Sequence, residues 1–217
     1  MRQLYVLAEG QTEEAFLRDT LGPHFADRNL ATTPIIVATK RLAAGGKRRG
    51  GIGSWEQVHR ELRRLLRDTH AVAVSTMMDL YGLPTAWPGA SSAATEPRQR
   101  VAALEVAMSE AVDDVRFIPH LMLHEFEALV FACPDQAAAV SGNLDLAAEI
   151  RADVVAAGSP ELVDDGPQTA PSKRLQGYWN TYAKTTDGPT IVQRAGLTAL
   201  RSGCEHFGAW LTRLEAL

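Results

Sequence analysis

Cysteine is scarce in this chain: Cys133 and Cys204 are the only two among 217 residues, and they lie far apart. This excludes a disulfide framework and a cysteine-based zinc motif, and it predicts a reducing, cytoplasmic setting. No apolar run approaches the roughly 20 residues that span a bilayer, and the N-terminus lacks the basic and then apolar pattern of a signal peptide. We therefore expect a soluble protein with no membrane association.

The familiar loop and active-site motifs are also missing. The glycine-rich segment 40–53 contains no GxxxxGK[ST] sequence, and Gly51-Ile52-Gly53 lacks the third glycine of a dinucleotide fingerprint. His120 and His124 have neither a cysteine partner nor HExxH spacing, so we interpret them as packed or surface histidines. Neither Ser75 nor Ser172 lies in a nucleophile elbow, which leaves serine hydrolysis without support.

Positive charge is in deficit overall but concentrated in one region. The formal net charge is −4 and the pI is about 5.9, which excludes a general polyanion binder. Between positions 40 and 67, nine basic residues oppose only Glu56 and Glu61. Such a region either follows a phosphate backbone or forms a solvated helix face beside a loop. The nine residues are Lys40, Arg41, Lys47, Arg48, Arg49, Arg60, Arg63, Arg64 and Arg67.

Apolar strand patterns alternate with amphipathic helix patterns in the first part of the chain. Strands are predicted near residues 4–8, 33–38, 71–79 and 117–123, the last at a sheet edge because it contains Pro119. This alternation predicts an α/β fold with a mainly parallel, four-stranded sheet and helices on both faces, up to about Phe131. We expect a core over residues 1–133 and a helical extension over 134–217, packed together as one compact unit.

Carboxylates stand where the predicted strands end. Glu9 and Asp79 end strands at the same sheet edge, and Glu125 follows the neighbouring strand. Mg²⁺ prefers such oxygen ligands, and one or two ions would support phosphoryl displacement. The alternative is three unrelated surface acids. Lys173 would either neutralise a transition-state phosphate or simply lie at a helix N-terminus capped by Ser172.

Four sequence motifs together resemble a known family. They are Ala8-Glu9-Gly10-Gln11-Thr12-Glu13-Glu14, Asp79-Leu80-Tyr81-Gly82, His124-Glu125-Phe126-Glu127 and Thr169-Ala170-Pro171-Ser172-Lys173-Arg174. The first two resemble the Toprim domain of primases, topoisomerases and OLD-type nucleases. The full set, over nearly the whole chain, resembles an uncharacterised domain family related to Toprim. Its members are often encoded beside ABC/AAA-type ATPases, including in mobile-element and phage-defence settings.

The resemblance implies a Toprim-like, Rossmann-like fold and a Mg²⁺ or Mn²⁺ site. By position, Glu9 matches the Toprim glutamate and Asp79 the first acid of the DxD motif. Tyr81 stands where the second aspartate would be. Three explanations remain open: Glu125 or Glu127 supplies the missing ligand, only one metal binds, or catalysis is lost.

The leading hypothesis is a Mg²⁺- or Mn²⁺-dependent nuclease that acts on DNA or RNA together with an ATPase partner. Its catalytic residues would be Glu9, Asp79, Glu125 and Lys173, and its metal ligands Glu9, Asp79, Glu125 and Glu127. The rival hypothesis is a non-catalytic module that binds phosphate or an ATPase. A small-molecule phosphatase or transferase would require a closed pocket instead of an open basic groove.

Overall fold

A five-stranded, wholly parallel sheet forms the centre of the protein. The computed structural model describes residues 2–37, 53–91, 94–163 and 169–217. The strands are β1 (Arg2–Ala8), β2 (Leu30–Ile36), β3 (Ala71–Asp79), β4 (Phe117–Ile118) and β5 (Leu121–Met122). The order is β2-β1-β3-β4, and β5 also pairs with β3. Because β2 and β3 flank β1 on opposite sides, the chain reverses its direction of winding between β1 and β3.

Helices connect the strands and then make up the C-terminal part. In chain order they are α1 (Gln11–Phe16), α2 (Gly22–Ala26), α3 (Trp55–Leu65), α4 (Pro97–Val112), α5 (Glu127–Phe131), α6 (Pro134–Ser141), α7 (Leu146–Ala157), α8 (Pro171–Tyr178), α9 (Asp187–Gly203) and α10 (Glu205–Glu215). A π-helical turn, Leu17–Leu21, joins α1 to α2, and a 3₁₀ turn, Pro160–Leu162, follows α7. Helix α9 is broken at Gly196, whose φ of 78° is the left-handed conformation that glycine adopts without strain.

Each face of the sheet has its own apolar core, as the alternation of side chains along a strand requires. One core packs β1 and β3 side chains such as Leu4 and Met77 against α1, α2 and the C-terminal helices. The other packs Leu7 and Met78 against α3 and α4. In the first core, Phe16 lies edge-on against Phe207 of α10, with ring centroids 5.9 Å apart. The C-terminal helices therefore complete one of the two cores.

The structure confirms the predicted α/β class, the mainly parallel sheet, the flanking helices and the helical C-terminus. The edge position of the last predicted strand is also correct, but Pro119 and His120 divide it into β4 and β5, because proline has no N–H for the ladder. Strand β2 begins at Leu30, earlier than predicted, and its Pro34 is tolerated because β2 is itself an edge strand. Among the described residues, none of the helices combines the length and apolarity that crossing a membrane requires.

The shared core predicts that the chain unfolds as one unit. Replacing the fully buried Phe207 with Ala should lower the free energy of unfolding by about 3–5 kcal/mol, because a cavity opens beside Phe16. Val155→Ala, at a side chain 81% exposed, is the control and should change it by less than about 0.5 kcal/mol. Urea titration followed by both fluorescence and circular dichroism measures the effect. Two separate transitions would contradict the single-unit prediction.

Candidate metal centre

Glu9 and Asp79 meet at the carboxyl edge of the sheet. Glu9 directly follows β1 and Asp79 is the last residue of β3, so both lie at the point where the winding reverses. In open α/β sheets this crevice is the usual place for a ligand. The Asp79 backbone N–H donates to Glu9 Oε2 over 3.2 Å, which fixes the two residues together.

The segment after β5 runs beside the segment after β3. The N–H of Tyr81 donates to the carbonyl oxygen of His124 over 2.9 Å, and the N–H of Phe126 donates to Asp79 Oδ1 over 3.1 Å. His124 has a φ of 66°, a left-handed conformation that is uncommon outside glycine and is concentrated at functional sites. This turn carries Glu125 and Glu127 to the same edge of the sheet.

Glu125 and Glu127 share one lysine. Lys184 Nζ donates to Glu125 Oε1 over 3.3 Å and to Glu127 Oε2 over 3.4 Å. The N–H of Ser172, in the first turn of α8, donates to Glu125 Oε2 over 3.0 Å, and the Tyr182 hydroxyl donates to Glu127 Oε1 over 3.2 Å. The C-terminal extension thus supplies the only lysine that pairs with these two acids among the described residues.

Glu13 is a fifth acid in this group. It lies in the first turn of α1 and is buried, and its Oε2 accepts the N–H of Gly10 over 2.9 Å. Its charge raises the pKa of both Glu9 and Asp79. We define the acidic cluster as Glu9, Glu13, Asp79, Glu125 and Glu127.

Burial and repulsion favour the protonated forms of Glu9, Asp79 and Glu127. Burial raises the pKa of Glu9 to about 7, with a further increase from the charge of Glu13. Burial also raises the pKa of Glu127 to about 7, although Lys184 opposes this. The pKa of Asp79 lies well above its usual range because of burial and the charges of Glu13 and Glu9. A divalent cation would relieve the repulsion, because an opposite charge nearby favours the ionised form of each carboxylate.

The donor set suits a hard cation. All five acids offer carboxylate oxygens, the ligands that Mg²⁺ takes in proteins. Among the described residues, no three acids of the cluster bring oxygens within 4.8 Å of one another. Mg²⁺ is usually held by one or two carboxylates and otherwise by water and substrate phosphates, so a site here would rest on two of the acids. Glu9 and Asp79 are the pair that the backbone holds together.

The structure places the other predicted site residues differently. Tyr81 is 43% exposed, and Lys173 is exposed on α8, so the lysine that contacts the cluster is Lys184. Ser172 does not cap α8 with its side chain, because the helix begins before it, at Pro171. Lys40, Arg41, Lys47, Arg48 and Arg49 lie outside the described residues.

The four predicted nucleic-acid-binding arginines at positions 60–67 lie along or just after α3, which leads away from the carboxyl edge of the sheet. Arg60, Arg63, Arg64 and Arg67 are all exposed on or just after α3. Because α3 runs back to the start of β3 at Ala71, Arg67 lies toward the opposite edge of the sheet from Asp79. Arg63 donates to the carbonyl oxygen of Val112 over 3.1 Å, and Arg64 pairs with Glu61 at 2.8 Å. Arg60 is thus the arginine of the group nearest the start of α3.

A family model for a domain of unknown function, DUF4276, matches residues 8–215. The chain belongs to the DUF4276 family. The match includes all five acids and Lys184, so the cluster lies within the family domain. No curated protein and no solved structure matches the chain. None of these comparisons links it to Toprim domains or OLD-type nucleases, so that resemblance remains a prediction.

The raised pKa values predict how stability depends on pH without metal. When the pKa of a carboxyl group is higher in the folded than in the unfolded state, the folded protein loses stability as pH rises and the group ionises. For Glu9 and Glu127 this loss continues up to a pH of about 7. Asp79→Asn removes one repelling charge and retains the oxygen that accepts from Phe126. In EDTA, the variant should therefore gain stability relative to wild type, and the gain should be larger at pH 8 than at pH 5.

Chemical denaturation at both pH values measures this difference. Glu110→Gln is the control, because Glu110 is exposed on α4 and outside the cluster. Its difference from wild type should be small at both pH values. A gain for Asp79→Asn that is the same at pH 5 and pH 8 would show that Asp79 does not repel its neighbours.

Proposed function

We propose that this DUF4276 protein is a Mg²⁺- or Mn²⁺-dependent phosphodiesterase that acts on nucleic acid. The observation that carries the proposal is the approach of Glu9 and Asp79, from two different strands, at the point where the sheet reverses its winding. Two neighbouring carboxylates repel each other and lower the stability of the folded protein unless a cation binds between them. The Toprim resemblance of the surrounding motifs supports the same chemistry.

In this proposal each residue has a defined part. Glu9 and Asp79 hold the ion, and Glu125 or Glu127 stands in for the acid missing at Tyr81. A bound Mg²⁺ or Mn²⁺ would activate water and stabilise the oxygens of an in-line displacement. Lys184, rather than Lys173, carries a positive charge beside the carboxylates, and in this proposal it would attract the substrate phosphate. Glu13 adds negative charge and strengthens cation binding.

The substrate is inferred from the basic residues. The protein as a whole is acidic, so a nucleic-acid backbone must be bound locally, by the basic residues between 40 and 67. Segment 40–53 links β2 to α3, and β2 ends at the same sheet edge as β1 and β3. The chain therefore enters this segment from the edge of the sheet that carries Glu9 and Asp79.

An ABC/AAA-type ATPase partner, and a role in phage defence or a mobile element, follow from the family resemblance alone. They extend the proposal from the chemistry of the site to its cellular setting. Co-purification of an ATPase encoded beside the gene, and a change of nuclease activity when that ATPase is added with ATP, would test this extension separately.

One observation favours the rival, a non-catalytic module. Lys184 already pairs with Glu125 and Glu127, so these two acids have a partner without metal. In that case the cluster would be a structural network of charged side chains, and Tyr81 in place of the second aspartate would indicate that catalytic activity has been lost. The two functions differ in whether Glu9 and Asp79 bind a divalent ion.

Metal-dependent stabilisation and cleavage test the proposal together. Millimolar Mn²⁺ should raise the melting temperature of wild type, because the ion binds the folded state. Asp79→Asn and Glu9→Gln should melt no lower than wild type in EDTA, and the increase with Mn²⁺ should shrink. Nuclease activity on single- and double-stranded DNA and RNA should fall by roughly 10²–10³-fold in both variants, as expected on losing a transition-state stabiliser.

Glu110→Gln again serves as the matched control and should retain both the thermal shift and the activity. An equal Mn²⁺ shift in wild type and Asp79→Asn would refute the metal site. A shift that depends on Asp79, with no cleavage of any of the four substrates, would favour the non-catalytic module.

The position of α3 makes a graded prediction for the arginines. Arg60→Gln should weaken nucleic-acid binding and reduce its salt dependence, because one phosphate contact is lost. Arg67→Gln should have a smaller effect, since Arg67 lies toward the far edge of the sheet. Fluorescence anisotropy at several salt concentrations measures both. Identical affinity and salt slope for both variants and wild type would assign these arginines to a solvated helix face.

A further inference from the structure

A second group of potential metal ligands lies away from the acidic cluster. Glu105 of α4, His120 between β4 and β5, and His206 of α10 each offer one ligand atom, and these atoms all lie within 4.8 Å of one another. Glu105 Oε1 is 2.9 Å from His206 Nε2 and 3.8 Å from His120 Nδ1. Within the part of the chain that the structure describes, this is the one such group of three.

An ion pair explains two of these residues but not the third. Glu105 and His206 attract each other, and Glu105 Oε1 also accepts the N–H of Leu121 over 2.9 Å. His120 is only 1% exposed, and neither of its ring nitrogens has a hydrogen-bond partner among the described residues. An unpaired buried polar group costs about 1–3 kcal/mol and requires an explanation.

The surroundings of His120 keep its ring neutral and in place. The ring is stacked on Trp210 at a centroid distance of 4.4 Å, and its backbone N–H donates to Thr76 Oγ1 over 2.9 Å. Burial lowers the pKa of His120 well below its ordinary value, and the positive charges of His206 and Arg213 lower it further. A neutral imidazole is the form that binds a metal ion.

We propose that Glu105, His120 and His206 form a binding site for a late first-row divalent metal ion such as Zn²⁺. Two imidazoles and one carboxylate are a donor set that Zn²⁺ takes in proteins, with water in the remaining position. Two ligands about 2.1 Å from a tetrahedral ion lie roughly 3.4 Å apart. The two O···N distances here, 2.9 and 3.8 Å, lie on either side of that value.

One side chain must move for the ion to enter. The rings of His120 and His206 are nearly parallel, with 21° between their planes, whereas a shared ion must lie close to the plane of each ring. His206 is 21% exposed and Glu105 14% exposed, so we expect His206, rather than the buried His120, to rotate. The buried, stacked His120 provides the fixed ligand.

This site is separate from the acidic cluster. Its His120 is hydrogen-bonded to Thr76, which lies three residues before Asp79 on β3, a distance of about 10 Å along a strand. Two ions that share one phosphoryl displacement lie only about 3.5–4 Å apart. The ion would therefore not join that chemistry. It would fasten α10 to α4 and the sheet.

Zinc binding is tested in the full chain carrying Asp79→Asn, so that Zn²⁺ bound by the acidic cluster is reduced. After EDTA treatment and dialysis, this protein should bind one equivalent of Zn²⁺ by calorimetry, and its melting temperature should rise. His206→Gln should weaken binding by more than the roughly 10–100-fold typical of losing an outer-shell partner. Glu105→Gln should do the same, which guards against a folding defect in one variant.

His24→Gln is the matched control. His24 Nε2 pairs with Glu215 Oε1 at 2.8 Å with 23% and 18% exposure, close to the values for His206 and Glu105, and is not part of a three-ligand group among the described residues. This variant should bind Zn²⁺ as its parent does. If the parent binds no Zn²⁺, or if the His206 and His24 variants bind it equally, the site is refuted and Glu105 and His206 are an ion pair only.

Discussion

Five carboxylates are held at one edge of a parallel sheet, and in the described part of the chain Lys184 is the one lysine that pairs with any of them. The backbone offsets part of their repulsion, since the amides of Asp79, Gly10, Phe126 and Ser172 each donate to one of the acids. Burial first, and the remaining repulsion second, raise the pKa values of Glu9, Asp79 and Glu127. The fold must provide the energy to keep these charges together, and the two apolar cores on either side of the sheet are the source.

The acidic cluster is assembled from parts that are distant in the sequence. Strands β1 and β3 provide Glu9 and Asp79, and the turn at His124 provides Glu125 and Glu127. The C-terminal region provides Lys184, Tyr182 and the amide of Ser172. The C-terminal helices therefore have two roles, because they complete one apolar core and also charge-balance the site. A truncated protein containing only residues 1–133 would lack both contributions.

The sequence was sufficient to predict the parts of the site that follow from strand ends. Apolar runs that stop at Glu9 and Asp79 placed both acids at the correct sheet edge, and the motif around His124 placed Glu125 and Glu127 with them. Glu13 stands in the sequence only as a member of the first motif, and nothing local marks it as buried, because its burial depends on how α1 packs. Lys184 has no local pattern that marks it, since its role depends on the tertiary position of the segment between α8 and α9. The sequence predicts Lys173 from its motif and offers no reason to consider Lys184.

The histidines show the same limit. The pattern around His120 and His124 contained no zinc motif, and His120 is indeed packed in the interior. Its neighbours Glu105 and His206 come from helices far from it in the chain, so no spacing rule could have brought the three together. Pairing across the fold, rather than spacing along the chain, defines both candidate sites.

The central claim is that Glu9 and Asp79 bind a divalent cation. The most direct measurement is a crystal structure of the protein soaked in Mn²⁺, with diffraction data collected on both sides of the manganese absorption edge. We expect an anomalous peak within about 2.0–2.5 Å of one carboxylate oxygen of Glu9 and one of Asp79. Well-ordered Glu9 and Asp79 side chains with no anomalous peak between them, at millimolar Mn²⁺, would contradict the claim.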